Sequence, residues 1–210
     1  MKLIIISSSD HLENEASVVT RLFDAGLETF HLRKHKLSTR KTREFLKAIP
    51  AHYHNRIVLH SHHRLAFKFK LKGIHLTRTH KRKKYTSLLR LWLLRLRQPD
   101  LVVTTSFSNI GSLFETHPFN FSYVFLSPVF DSLQSKFQSG FTEHSLKSAL
   151  SKTSIPVVAR GGVDLSAIQK AKDLGFHGLA FYSTIWDKKD PVAEFNNAAK
   201  RFGELNIKVE

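Results

Sequence analysis

Two pairs of small residues in the C-terminal half have the composition of an anion cup. Gly161-Gly162 stands in PVVARGGVDLSAI, between an apolar run and a helix start, and Ser183-Thr184 holds the same place in GLAFYSTIW. Glycines let a backbone approach a ligand closely, N–H groups at a helix start favour negative charge, and small hydroxyls add donors. A Gly-Gly pair alone also serves merely to turn a chain. Arg33, at the end of the apolar run within FHLRKHK, offers a permanently charged fork that can clamp phosphate through two parallel hydrogen bonds, or else pairs with a carboxylate. Lys136, in SPVFDSLQSKFQSGF, is placed to close over a bound anion or to remain a solvated lysine. Neither GxGxxG nor GxxxxGK[ST] occurs, so the dinucleotide and nucleoside-triphosphate fingerprints are absent.

The chain carries 13 histidines, and His60, His62 and His63 in LHSHHRLA draw attention to metal binding. Zinc needs three or four converging ligands, whereas close neighbours at a strand end and helix start point in different directions. No metal site is therefore expected. His75, in GIHL, reads as a packed strand residue that its position keeps eligible as a base. No carboxylate is identifiable as the orienting member of a Ser-His pair, so a nucleophilic triad is not expected. Zero cysteines exclude disulfides, thiolate catalysis and thiolate zinc sites.

The elements that must position these groups recur with one rhythm. Strands are predicted at Leu3–Ile6, Thr29–Leu32, Ile57–Leu59, Gly73–Leu76, Leu101–Thr105, Tyr123–Leu126, Pro156–Ala159 and Gly178–Phe181. Helices are predicted at Glu13–Ala25, Thr39–Ile49, His62–Lys70, Thr86–Leu96, Asn109–Glu115, Glu143–Leu150, Ser166–Leu174 and Pro191–Phe202. Strict alternation implies a parallel sheet, and eight βα units close a barrel, so the expected fold is a single (βα)8 TIM barrel over residues 1–210. An open doubly wound sheet is the alternative. Gly26, Gly73 and Gly175 fall just past helix ends, and Ser38 and Asp164 suit N-caps. The long loop is Ser127–Phe141. In a barrel the loops after the strands carry function, which is where the candidate residues lie.

Charge points to anionic partners: 33 Lys+Arg against 17 Asp+Glu give a formal +16. The densest run, Arg78–Lys84 (RTHKRKK), lacks interleaved aromatics, so a solvated face is expected and nucleic acid is the lesser reading. No apolar run reaches the roughly 20 residues of a membrane span, and MKLIIISSSD reads as a first strand instead of a secretory leader. The expectation is a cytoplasmic protein with no membrane partner.

In order along the chain, FHLRKH, GIHL, TTSFS, YVFLSPVF, PVVARGGV and GLAFYSTIW resemble the thiamine phosphate synthase/TenI family over nearly the whole length. The resemblance implies a (βα)8 barrel and a transferase that joins hydroxymethylpyrimidine diphosphate to thiazole phosphate, releasing diphosphate with magnesium's help. It assigns catalytic roles to Arg33, Ser106 and Lys136 and phosphate binding to Gly161, Gly162 and Ser183, with Thr184 beside them. His31, His60 and His75 fall in its substrate pocket. A homodimer is left open.

Departures from the family pattern are as specific as the matches. In its Gln-Leu-Arg-acid-Lys segment the Gln is His31, the acid is Lys34 and the lysine is His35. Its magnesium-binding Asn-Asp falls on His60 and Ser61, its later Gly-Gln on Thr77 and Arg78, and a further acid is replaced within RTHKRKK. Magnesium needs hard oxygen ligands, so its usual site is not seen and no cofactor is assigned. TenI-type relatives are thiazole tautomerases, but the histidine expected two residues after Ser106 is Ser108. A tautomerase, a non-catalytic thiazole-phosphate regulator and a basic nucleic-acid-binding protein are the alternatives.

Overall fold

The computed structural model describes residues 1–8, 12, 14–34, 37–131 and 141–209. The short apolar runs form parallel strands β1 (Lys2–Ile6), β2 (Thr29–Leu32), β3 (Ile57–Leu59), β4 (Gly73–Leu76), β5 (Val102–Phe107), β6 (Tyr123–Leu126), β7 (Val157–Arg160) and β8 (Gly178–Phe181). They pair in the closed order β1 to β8, the (βα)8 barrel expected from the alternation. Every strand except β5 is buried from first residue to last, or in all but one residue, as strands covered on both faces must be. The helices are α1 (Glu15–Asp24), α2 (Thr39–Lys47), α3 (Arg64–Lys68), α4 (Arg78–Arg82), α5 (Lys84–Arg95), α6 (Glu143–Lys152), α7 (Ala167–Leu174), α8 (Ser183–Trp186) and α9 (Pro191–Glu204).

Two compact units divide the packing, one of Ile6–Thr105 with His117–Phe121 and one of Met1–Ile5, Ser106–Thr116 and Ser122–Glu210. In the first unit α1 turns Val19, Leu22 and Phe23 inward at helical spacing, and the Phe23 ring meets Phe30 of β2 edge-on at 6.2 Å. Phe30 therefore lies on the helix-covered face of the sheet. His31, next in the strand, faces the barrel interior. Register carries this face across the unit, since His31 pairs with Val58, Val58 with Gly73, and His75 with Thr104. Arg33, His60, His75 and Thr104 thus share the interior face with His31.

In the second unit the β8 register runs to β1 through Leu3↔Leu179 and to β7 through Ala159↔Leu179. Phe125, Phe181 and Phe202 are among its largest buried side chains. The Asp190 carboxylate accepts from the Val192 and Ala193 N–H groups and Pro191 follows it, which fixes the start of α9. Asp190→Ala is expected to cost about 1 kcal/mol in urea denaturation, the typical worth of an N-cap. Ser38 caps α2 through the Lys41 N–H as expected, whereas the N-cap of α7 is Ser166, with Asp164 Oδ1 accepting from the Ser166 and Ala167 N–H groups just ahead of the helix.

Two local expectations are corrected, and the basic run gains a structure that leaves it on the exposed face. Asn109–Glu115 is no α-helix: Asn109 Oδ1 accepts from the Ser112 N–H and leaves a single 3-10 turn at Gly111–Leu113. Gly73 does not cap a helix; it sits in β4, where a Cβ would come 2.1 Å from the Val102 carbonyl oxygen, and Lys70 at φ +50° ends α3. The basic run Arg78–Lys84 is mostly helix α4, whose first N–H groups are engaged by a Thr77/His80 capping box. Among the described residues no helix is long and apolar enough to cross a membrane.

Candidate active site

At the carboxyl ends of β6, β7 and β8 the second unit brings together the small residues that the sequence offers as an anion cup. Gly161 and Gly162 have φ of +91° and +66°, a left-handed pair that side chains resist. Close packing holds them too: a Cβ on Gly162 would lie 2.4 Å from Asp131 Oδ1, and one on Gly161 2.9 Å from Pro128 Cα. Val129 and Phe130 donate their N–H groups to the carbonyls of Arg160 and Gly161 at 2.9 and 3.0 Å, so the segment after β6 braces the glycine turn. Thr184 Oγ1 donates to the Val163 carbonyl at 2.6 Å, which ties α8 to the loop after β7. Thr184 is thereby a brace, and the exposed Ser183 is the hydroxyl presented at the start of α8. A separate cleft of about 380 Å³, lined by Met1, Thr153, Pro156, Lys172 and His177 among others, lies at the amino ends of β7 and β8. That end of a barrel serves stability.

In the first unit Arg33 follows β2 directly, half-buried, with its N–H donating to Ser7 Oγ at 2.9 Å. Beside it Lys34, where the family pattern has an acid, forms a buried ion pair with Glu15 of α1. Lys34 Nζ also donates to the Ser8 carbonyl, and Glu15 Oε1 accepts from the Ser8 N–H, so the pair locks the chain after β1 to α1 and β2. Ser106, which belongs to the second unit, is half-buried inside β5 instead of following it. Lys136 and His35 lie outside the described residues.

The strongest convergence in this unit is one of imidazoles. His31, His60 and His75 are 0%, 3% and 3% exposed, and one ring nitrogen from each lies within 4.8 Å of the others. His31 Nδ1 and His60 Nε2 face each other at 2.9 Å, His60 and His75 stack with centroids 4.0 Å apart, and His75 Nδ1 is 2.8 Å from Thr104 Oγ1. Neighbours do diverge within LHSHH, as expected. His62, at φ +53°, turns to the Leu37 carbonyl and Thr39, and His63 turns to the His75 carbonyl. Divergence of neighbours places no limit on a group drawn one apiece from β2, the end of β3 and β4, and such a group converges here. Interior-face register across the three strands is the signal that would have found it.

His63 is the odd member. Its Nδ1 has no hydrogen-bond partner among the described residues, and its ring stacks obliquely on His80 at 4.3 Å. Burial first, then the neighbouring His80 and Arg90 charges, push its pKa down to about 3, so the ring stays neutral near pH 7.

The chain is similar to known proteins over most of its length. The family model described as thiamine monophosphate synthase matches residues 3–185. The thiamine-phosphate synthase of Vibrio campbellii (strain ATCC BAA-1116) is 33% identical over 96 residues, a match spanning 45% of this chain and 47%, about half, of that protein. The thiamine phosphate pyrophosphorylase of Bacteroides thetaiotaomicron superposes over 99% of this chain and 100% of its own, at 26% identity and a TM-score of 0.79. That of Pyrococcus furiosus shares the fold over 97% and 96% of the two chains, with 18% identity and a TM-score of 0.76. With a glycine cup after β7, a serine opening the segment after β8, an arginine after β2 and a family match over most of its length, the chain belongs to the thiamine monophosphate synthase (TMP-TENI) family.

Proposed function

We propose that this chain is a thiamine phosphate synthase-type transferase, a single barrel domain acting in the cytoplasm on two phosphorylated ligands. In that reaction a bond forms between the thiazole nitrogen and the pyrimidine-borne carbon while that carbon's bond to diphosphate breaks, and the departing oxygen takes the electron pair. The observation that carries the reading is the braced left-handed Gly161-Gly162 turn with Ser183 at the neighbouring helix start, which suits the phosphate of the thiazole partner. Arg33 is the residue that would supply a cation for the diphosphate that leaves, and Ser106 keeps the catalytic role that the family pattern gives it. Lys136 would add a second cation to the leaving group. Stabilising the charge that develops in the transition state is commonly what accelerates an enzymatic reaction most.

Magnesium, which the family's reaction uses, does not fit the histidine trio. The donors there are imidazole nitrogens, and no Asp or Glu occurs between Glu44 and Asp100, the stretch holding β3, β4 and the turns after them. No step of the proposal is routed through it.

Ser183→Asp tests the cup. A carboxylate at the first residue of α8 suits a helix start and leaves the fold intact, whereas an aspartate at Gly162 would collide with Asp131. In calorimetric titration the wild type is expected to prefer thiazole phosphate to the unphosphorylated thiazole alcohol. The variant should lose more than tenfold, about 1.4 kcal/mol, for the phosphate ester only. Equal affinities for the two thiazoles in the wild type, or an unchanged folded variant, would remove this site.

A further inference from the structure

We propose that His31, His60 and His75 form a three-nitrogen site for a borderline divalent transition ion of the zinc class, standing where the family pattern calls for magnesium. All three imidazoles are buried, their nitrogens converge within 4.8 Å, and they come from β2, the residue directly after β3, and β4, all in one unit. Strand-borne ligands keep their spacing without an ion. Imidazole nitrogen suits zinc, cobalt, nickel and iron, while magnesium is held by hard oxygens. Zinc sites with three histidines and one open position are an established catalytic pattern.

The geometry says what loading must change. Nitrogens about 2.0–2.1 Å from a tetrahedral ion are roughly 3.4 Å apart. The His31–His60 contact of 2.9 Å therefore opens by about half an ångström, and the proton these two nitrogens share moves to the other nitrogen of its own ring, so that both ligands stay neutral. The stacked rings of His60 and His75 must also tilt so that both lone pairs converge. Thr104 already engages His75 Nδ1, so the ion takes the other ring nitrogen, with the threonine fixing the ring's orientation from behind. Three neutral ligands leave the full +2 charge uncompensated. The open position then favours an anionic oxygen, and that it is an oxygen of the diphosphate rests on the proposed function; the site itself does not.

Cobalt(II) reports the site through its visible d–d absorption. Titrating the apo-protein is expected to load one Co²⁺ per chain with the intense absorption of a low-coordinate ion, displaced by one equivalent of Zn²⁺ and unaffected by a hundredfold excess of Mg²⁺. His60→Ala should weaken binding at least a hundredfold. His60→Asn, which installs the residue of the family pattern, does the same if the alanine variant fails to fold. His62→Ala, outside the trio, should bind as the wild type does, which separates the site from the protein's other histidines. Weak six-coordinate absorption, or equal affinity in a folded His60 variant, would overturn the proposal. Neither result bears on turnover, so failure here and failure of the transferase reading are distinguishable.

Discussion

Glu15→Gln is expected to destabilise the protein by about 3–5 kcal/mol, the range for removing one partner of a buried ion pair. Glu15 and Lys34 are 2% and 7% exposed in their side chains, so water screens neither charge. Glutamine keeps an oxygen to accept the Ser8 N–H, which confines the change to the charge. What remains is a buried ammonium that still donates to the Ser8 carbonyl but has lost the Glu15 carboxylate. The double variant Glu15→Leu, Lys34→Met removes both charges and should recover most of the loss, because a well-packed apolar pair can replace a buried ion pair at little cost. Chemical denaturation of the wild type and the two variants measures both effects directly. A loss below about 1 kcal/mol in Glu15→Gln would show that the pair behaves as a surface pair.

The second large effect is acid sensitivity through His63. In the unfolded chain its ring takes a proton near pH 6.5, whereas burial beside His80 and Arg90 delays protonation in the folded protein to about pH 3. Between those values the unfolded state binds more protons, so stability is intact above about pH 6.5 and falls as pH drops through the window. The total is on the order of 4–5 kcal/mol at 1.36 kcal/mol per unit. His63→Leu removes both this proton and the orphaned Nδ1, so its denaturation midpoint should fall less steeply between pH 6.5 and 4, by the equivalent of about one proton. Some slope should remain, since burial, Arg90 and Lys83 also lower the His80 pKa. Measurements in chelator-containing buffer keep metal out of the comparison. Identical slopes for wild type and variant would contradict the assignment.

Much of the fold was legible because it rests on local pattern. Buried β-branched runs spaced by amphipathic stretches identify βα units, and small residues at Gly161-Gly162 and Ser183 mark the ends of strands seven and eight. Asn109–Glu115 misled because helical periodicity is a weak signal against an asparagine that can hydrogen-bond its own turn. Gly73 followed a helix in sequence, but its missing side chain answers to a neighbouring strand. Long-range pairs were harder. Lys34 read only as a departure from a family acid, since its compensating carboxylate lies on α1, on the far side of β1's exit loop. His31 and His60 are separated by 29 residues, and nothing local joins them. Strand register does.

That the barrel joins the two thiamine precursors is the central claim, and product formation tests it most directly. Purified protein is incubated with hydroxymethylpyrimidine diphosphate and thiazole phosphate, alone and together, with magnesium or zinc supplied, and thiamine phosphate and diphosphate are quantified by chromatography. Both products are expected in equal amounts, only when both precursors are present, with formation reduced in Ser183→Asp. Binding of both precursors with no thiamine phosphate under either metal, or isomerised thiazole formed without the pyrimidine, would contradict the claim.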